Sequence, residues 1–342
     1  MANYAPEECY ETLLASAPRI LAFDPRQDFT TWRAAARARL RELLGPLPER
    51  AALDVKIEFE QENKLYREIR FVFTSEQWVD VPCHLLIPRQ GRAPFPLVIC
   101  LQGHTTGMHI SLGRARFAGD AQDIAGNRDF AIQAVRQGYA ALAIEQRCFG
   151  ERKDQRPAAV VHFERGCRHA AMTALLLGRT LIGDRAWDVS RAIDALAQFP
   201  EIDLSQIGCM GNSGGGTVAY YAACLDERIT IAMPSCAVCT FAASIGKIDH
   251  CEDNYIPGIL RYFEMGDLAG LIAPRPLILV AGREDGIFPI AGVQESYQTI
   301  QAIYAAAGAA DRCRLVIGPK GHRFYADLAW PVYRELTNLS GR

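Results

Sequence analysis

The sequence predicts an α/β protein with a doubly wound, mostly parallel sheet, antiparallel strands on its N-terminal side and an N-terminal helical extension. Two observations carry this prediction. After residue 94, short and wholly apolar runs alternate with helix-like segments, as expected of strands buried on both faces of a parallel sheet. Between residues 55 and 85 the apolar residues recur at every second position, which is typical of antiparallel strands with one solvated face.

The N-terminal extension is predicted over residues 1–50, and the main domain over residues 51–342. Trp32, Ala36 and Leu40 lie on one helical stripe between residues 28 and 44. Gly45 and the proline that follows it are the expected stop signal. We therefore expect a helix here that is separate from the strands that follow.

The individual elements follow from the same patterns. Antiparallel strands are predicted over 55–59, 69–73 and 79–85. Buried parallel strands are predicted over 97–101, 139–144, 207–210, 229–233, 277–281 and 315–317. Helices are predicted over 129–136, 184–197, 216–225 and 294–306.

Two long intervals, residues 102–128 and 235–273, do not fit the alternation. Both follow the carboxyl ends of predicted strands, where open α/β sheets bind ligands. Loops of this length are often functional, so we expect both to shape a cleft. Arg147, Glu151 and Asp188 are expected to form buried ion pairs beneath these loops.

Charge and composition exclude several classes of protein. The 37 Lys and Arg residues nearly balance the 39 Asp and Glu residues, which argues against a nucleic-acid binder. The eleven cysteines are scattered singly, unlike a disulfide framework. No apolar run is long enough to span a membrane, and the N-terminus lacks the pattern of a secretory leader. We expect a cytoplasmic protein that does not bind membranes.

The strongest motif is Gly211-Asn212-Ser213-Gly214-Gly215, between a predicted strand and a predicted helix. It matches the G-x-S-x-G nucleophile elbow of α/β-hydrolases, in which the small neighbours leave room for a sharp turn. The alternative is a glycine-rich turn that binds phosphate or only packs tightly. A dinucleotide-binding turn would show a different glycine spacing and would follow the first strand, so we favour a serine nucleophile.

A serine nucleophile needs an imidazole base and a carboxylate that orients the base. In this fold the order along the chain is Ser, then Asp or Glu, then His. His250 and His322 are the two histidines after Ser213. We assign His322 as the base because it follows the last predicted strand, and Asp285 as the acid, with Glu284 pointing to solvent.

The oxyanion of a tetrahedral intermediate needs two donors. We expect them to be the backbone N–H groups of Gly214 and His104, with Thr105 as the alternative to His104. Thr105, His250 and Tyr255 are candidate substrate-binding residues.

No cofactor and no metal site are expected. Cys236 and Cys239 have no second pair at zinc spacing, so we expect both to be buried structural residues. The residues from His250 to Asp253 are adjacent and would point in different directions, which argues against a metal site there.

At this point the chain resembles the α/β-hydrolase group that includes acetyl xylan esterases, dienelactone hydrolases and cephalosporin deacetylases. The resemblance covers about residues 80–330. It is carried by Gln102-Gly103-His104, Glu145-Gln146-Arg147-Cys148-Phe149-Gly150, Gly208-Cys209-Met210-Gly211-Asn212-Ser213-Gly214-Gly215-Gly216, Ala273-Pro274-Arg275-Pro276 and Gly321-His322.

The resemblance implies an α/β-hydrolase fold and a serine esterase acting on short acyl esters of a sugar or small alcohol, with a small-molecule ester as its partner. Two alternatives stay open: a prolyl-oligopeptidase-like serine aminopeptidase, and a non-catalytic binding protein with a hydrolase fold. The N-terminal helices would either cover the cleft or pair with a second copy in a homo-oligomer.

Overall fold

The computed structural model describes residues 5–153 and 166–337 and contains a nine-stranded sheet. The strands are β1 (Lys56–Glu62), β2 (Tyr66–Glu76), β3 (Val79–Pro88), β4 (Phe95–Leu101), β5 (Ala140–Ile144), β6 (Ile202–Asn212), β7 (Ile229–Ser235), β8 (Leu277–Gly282) and β9 (Cys313–Gly318). Their order across the sheet is β1-β2-β3-β5-β4-β6-β7-β8-β9.

The pairing of the strands confirms the predicted mixture. The strands β1, β2, β3 and β5 pair antiparallel in that order, and the strands from β5 and β4 through β9 pair parallel. The carboxyl ends of the parallel strands therefore meet at one edge. All six predicted parallel strands are present. The largest difference is at β6, which has 11 residues and already begins at Ile202, whereas the prediction covered only 207–210.

Nine α-helices lie in the part of the chain that the structure describes. They are α1 (Pro6–Ala15), α2 (Phe29–Leu44), α3 (Asp120–Asp123), α4 (Phe130–Arg136), α5 (Gly166–Leu176), α6 (Leu181–Ala195), α7 (Gly214–Leu225), α8 (Ile290–Ala306) and α9 (Ala326–Leu336). The four helices predicted in the main domain are confirmed as α4, α6, α7 and α8. None of the described helices is long and apolar enough to cross a membrane.

The helix α2 begins where the sequence predicts. The carboxylate of Asp28 caps it by accepting the N–H of Thr31 at 2.8 Å, and Gly45 ends it with φ 86°. Its apolar stripe, from Trp32 to Leu44, is buried in the same cluster as one face of the sheet. The extension thus packs on the core with this helix.

The core lies on both faces of the sheet. On β4, Leu97, Ile99 and Leu101 pack in one cluster with α2, α6, α7 and α8. The intervening Val98 and Cys100 pack in a second cluster with α4 and α9. Because successive side chains of a strand point to opposite faces, an uninterrupted apolar run serves both layers.

The prediction of one solvated face for the antiparallel strands is wrong. The edge strand β1 is exposed throughout, whereas β3 is buried over most of its length. The polar residues of β2 and β3 are covered because they are paired: the imidazole of His84 bonds to Glu68 at 2.6 Å, and the guanidinium of Arg70 bonds to Glu151 at 2.7 Å. The alternating pattern of apolar residues located the strands correctly. Their polar face is buried because its charged side chains are paired.

Candidate active site

The strand β6 ends in a tight turn that carries Ser213 at the start of α7. Ser213 has φ 57° and ψ −129°, a conformation that costs a residue with a side chain about 1–3 kcal/mol. Its N–H donates to the carbonyl of Ser235 at the end of β7, at 2.9 Å. The hydroxyl therefore lies at the carboxyl edge of the sheet and at a helix N-terminus, where partial positive charge favours an anion.

The glycines on either side of Ser213 lie directly against backbone. A methyl group added to Gly211 would lie 2.7 Å from the carbonyl oxygen of Leu101, and one added to Gly215 would lie 2.6 Å from that of Gln102. The turn folds back onto β4 so closely that these two positions have no room for a side chain. This contact is the physical reason for the G-x-S-x-G pattern.

The structure brings Asp285 and His322 together in the loops after β8 and β9. Nδ1 of His322 lies 2.9 Å from Oδ2 of Asp285. The other oxygen of Asp285 accepts the N–H groups of Ile287 at 2.8 Å and Phe288 at 3.1 Å. The ring of Phe288 stacks on His322, with centroids 6.0 Å apart. Glu284, the rejected candidate, is exposed.

The surroundings of Asp285 keep it ionised. Burial opposes the charged form, but the hydrogen bond from His322 and the two backbone N–H groups outweigh burial, so the pKa of Asp285 lies below its usual range. At the neighbouring thiol of Cys236 the pKa is shifted in the opposite direction, because burial raises it to about 12. Cys236 therefore stays a neutral thiol beside the pair.

Ser213 and the Asp285–His322 pair lie at the same edge of the sheet. The residue after Ser235 is Cys236, whose sulfur lies within 4.8 Å of the ligand atoms of both Asp285 and His322. Among residues 5–153 and 166–337, the side chain of His322 hydrogen-bonds with Asp285 and not with Ser213. In ligand-free enzymes the bond between base and nucleophile is often long and tightens when substrate binds.

The two segments that carry the expected oxyanion donors lie side by side. A methyl group on Gly103 would lie 2.9 Å from Cβ of Ser213 and 3.4 Å from the backbone nitrogen of Gly214, so the loop after β4 passes directly beside the nucleophile. Nδ1 of the His104 imidazole lies 3.2 Å from where a Gly214 methyl would stand. Thr105 is half-buried, and its hydroxyl bonds to the carbonyl of Gly103 at 3.5 Å.

The two other candidate substrate-binding residues lie in different surroundings. Both ring nitrogens of His250 are buried and have no partner among the described residues, and the ring meets Phe288 edge-on at 5.4 Å. Tyr255 instead donates its hydroxyl to the carbonyl of Ile245 at 2.9 Å and lines a groove against α1. His250 is thus the one of the two that shares a neighbour with His322.

The expected ion pairs are present in part: Arg147 and Asp188 pair beneath the site, whereas Glu151 is exposed and pairs with Arg70. Asp188 of α6 bonds to Arg147 and Arg152, each at 2.8 Å. Nearby, the buried carboxyl of Glu145 accepts the N–H of Met108 at 3.1 Å and that of Glu151 at 3.2 Å. Burial raises the pKa of Glu145 to about 7. These groups join the end of β5 to the start of the loop after β4.

One cluster was not anticipated from the sequence. Cys167, Cys251 and Asp253 surround Nε2 of His104, and the guanidinium of Arg185 bonds to Asp253. These residues come from four separate segments, and no spacing in the sequence relates them. Cys236 and Cys239 are buried as expected.

Comparison with known proteins agrees with this architecture. A model of the Abhydrolase family matches residues 11–316. The chain belongs to the Abhydrolase family. A curated relative of this abhydrolase, "Putative hydrolase YtaP" of Bacillus subtilis (strain 168), is 28% identical over 297 residues, which cover 85% of this chain and 94% of the relative.

Solved structures share the fold of this abhydrolase. A "putative acetyl xylan esterase" from Bacteroides fragilis NCTC 9343 superposes with a TM-score of 0.79 at 17% identity, over 98% of this chain and 96% of that one. A glucuronoyl esterase from Teredinibacter turnerae T7901 superposes with a TM-score of 0.67 at 16% identity, over 96% of this chain and 90% of that one. At such identities the likeness concerns the fold alone.

Proposed function

We propose that this abhydrolase is a serine carboxylic-ester hydrolase that removes acetyl or other short acyl groups from a sugar or small alcohol. The observation that carries the proposal is the pairing of His322 with the buried Asp285 at 2.9 Å, at the same sheet edge as the strained turn of Ser213. Nucleophile, base and orienting acid are the parts that acyl transfer requires.

In the first half of the proposed reaction, Oγ of Ser213 attacks the ester carbonyl carbon while Nε2 of His322 takes the hydroxyl proton. Asp285 holds the Nδ1–H tautomer and stabilises the imidazolium. The carbonyl oxygen becomes an oxyanion that accepts the N–H groups of Gly214 and His104. The intermediate collapses, His322 gives its proton to the departing alkoxide, and the acyl group stays on Ser213.

In the second half, water replaces the alcohol. His322 takes a proton from the water as its oxygen attacks the acyl carbon, and the same two N–H groups hold the new oxyanion. The bond to Oγ of Ser213 breaks, and His322 returns the proton to this oxygen. The carboxylic acid leaves, and the enzyme regains its starting state.

Two considerations support a small ester as the substrate class. Similar folds include proteins described as acetyl xylan and glucuronoyl esterases. The described residues 5–94 form two helices and three strands of the main sheet, and an aminopeptidase of the prolyl-oligopeptidase type carries a large propeller there instead. His250 and Thr105 are the side chains we propose to contact the bound ester.

Hydrolysis of p-nitrophenyl acetate tests the proposal. We expect the wild type to turn over with a burst of acyl-enzyme, and Ser213→Ala to lose on the order of 10⁶ in kcat. Ser205→Ala is a matched control, because Ser205 is an exposed serine of β6, the strand that leads to Ser213. Equal rates for the wild type and Ser213→Ala would refute serine catalysis.

A series of acyl lengths tests the substrate class. Acetyl, butyryl and octanoyl esters of the same alcohol are compared with aminoacyl amides. We expect kcat/KM to fall steeply beyond acetyl, with no amide cleavage. A preference for octanoyl esters would refute the short-acyl assignment, and amide cleavage would favour the aminopeptidase.

A further inference from the structure

Four potential metal ligands meet beside the proposed active site. His104 lies in the loop after β4, Cys167 in the first turn of α5, and Cys251 and Asp253 in the loop after β7. The ligand atoms of all four lie within 4.8 Å of one another. Three distant segments of chain thus converge on one point.

The spacing of three of these atoms, from His104, Cys167 and Asp253, matches a tetrahedral metal site. Typical zinc bond lengths of about 2.0–2.3 Å place ligand atoms roughly 3.3–3.8 Å apart. Nε2 of His104 lies 3.3 Å from Oδ2 of Asp253 and 3.6 Å from Sγ of Cys167, and this sulfur lies 3.7 Å from the same carboxylate oxygen. Sγ of Cys251 is closer, 2.9 Å from Nε2, as for a direct hydrogen bond between thiol and ring.

We propose that His104, Cys167, Cys251 and Asp253 bind a zinc ion. Two thiolates, an imidazole and a carboxylate are a donor set that zinc accepts in tetrahedral geometry. The residues from His250 to Asp253 follow one another in the sequence, which led us to expect no metal site there. The fold changes this because it adds a ligand from each of two other segments.

Neighbouring side chains hold two of the four ligands, Asp253 and Cys167, in place through hydrogen bonds. Arg185, which is 1% exposed, bonds to Asp253 and donates to Sγ of Cys167 at 3.2 Å. The other oxygen of Asp253 accepts the amide of Asn254 at 2.7 Å, and Asn254 in turn accepts Thr217 of α7 at 2.9 Å. Outer hydrogen bonds of this kind orient metal ligands.

The charges of the site balance with a divalent ion present. Two thiolates and the carboxylate of Asp253 carry three negative charges. A zinc ion and the guanidinium of Arg185 carry three positive charges. The buried part of the cluster, Cys167 and Asp253, tolerates this arrangement because no net charge is left without a partner.

The ion would join the two cleft loops to α5. Coordination through Nε2 also leaves the proton of His104 on Nδ1, the nitrogen that faces Gly214. This second consequence rests on the proposed function, since it places a donor near the oxyanion. The zinc site itself does not depend on catalysis.

Metal analysis of the full chain tests the proposal without an activity assay. The protein is produced in zinc-supplemented medium, purified with a thiol reductant and dialysed. We expect about one zinc per chain in the wild type and in Cys239→Ser, since four ligands complete one tetrahedral site. We expect near-complete loss in Cys167→Ser and Cys251→Ser. Cys239 is the matched control because it is a buried cysteine of the same loop as Cys251 and is not among the four ligands.

A second measurement covers variants that fail to fold. Wild-type protein stripped with a chelator is titrated with Co²⁺, and we expect a thiolate-to-cobalt charge-transfer band and a rise in Tm. Wild type without zinc and without this band would overturn the proposal, as would zinc retained by both cysteine variants or a disulfide at Cys167. Zinc binding with no esterase activity would refute only the proposed function.

Discussion

Nδ1 of His322 lies 2.9 Å from Oδ2 of Asp285, whose other oxygen is held by the backbone N–H groups of Ile287 and Phe288. The turn after β8 thus holds the carboxylate in place independently of its contact with the imidazole. A base oriented in this way keeps Nε2 available for proton transfer. The relationship makes Asp285 the positioning residue of the proposed reaction.

Asp285→Asn tests this role. The amide keeps the shape of the side chain but does not hold the Nδ1–H tautomer or stabilise the imidazolium, so we expect kcat to fall on the order of 10⁴ with little change in KM. Steady-state kinetics with p-nitrophenyl acetate measure the effect. Glu284→Gln is the control, because Glu284 is the exposed neighbour. An Asp285→Asn variant within tenfold of wild type would show that another group orients His322.

The turn of Ser213 predicts a steric effect at Gly215. A methyl group there would meet the carbonyl oxygen of Gln102 at 2.6 Å, so Gly215→Ala should lower the free energy of unfolding by about 1–3 kcal/mol or more and reduce activity. Gly126→Ala is the matched control, because nothing lies within 4 Å of a methyl group there. Urea unfolding of both variants measures the difference, and equal stabilities would mean that the turn relaxes.

The ion pairs of Asp188 predict a large stability effect without direct chemistry. Burial opposes ionisation of Asp188, but Arg152 and Arg147 outweigh it and hold its pKa well below the usual range. Asp188→Asn leaves both guanidinium groups without this partner, and we expect a loss of about 3 kcal/mol. Glu42→Gln, which breaks an exposed pair with Arg39, should cost under about 1 kcal/mol. Similar losses of unfolding free energy in the two variants would contradict the interpretation that Asp188 is held in a buried ion pair.

Glu145 predicts a pH dependence of stability. Its pKa is raised from 4.5 to about 7, so between these values the folded chain keeps a proton that the unfolded chain releases. Stability from this group is therefore complete below pH 4.5 and is lost as pH rises to about 7. At about 1.4 kcal/mol per pKa unit, the loss is on the order of 3 kcal/mol.

Glu145→Gln removes this titration. The unfolding free energy of the variant, measured relative to wild type, should therefore rise across that pH range. Chemical denaturation at several pH values gives both curves. The amide disturbs one backbone contact equally at every pH, so the slope is the test, and parallel curves would contradict the raised pKa.

Much of the fold was predictable because most of the parallel strands contain a short, uninterrupted apolar run. Runs such as residues 97–101 serve both layers of the core, so they stand out in the sequence. The helix α9 was not predicted, and Pro331 lies inside it, where a proline normally argues against a helix. The buried polar face of β2 and β3 depends on charge partners from distant segments. The alternation of apolar and polar residues within a strand contains no information about these partners.

The candidate site was likewise predictable from the sequence only in part. Ser213, Asp285 and His322 each follow a parallel strand, and the carboxyl ends of parallel strands meet at one edge, so their placement at this edge was expected. No comparable rule predicts the cluster around Nε2 of His104 from the sequence. Cys167 reaches it through the placement of α5, which only tertiary packing determines.

Covalent labelling tests serine catalysis most directly. Wild-type protein is treated with a fluorophosphonate, and the adduct is located by intact mass and peptide mapping. We predict a single adduct on Ser213, absent from Ser213→Ala and present in Ser205→Ala. A folded wild type that stays unmodified, or an adduct on another residue, would contradict the claim that Ser213 is the nucleophile.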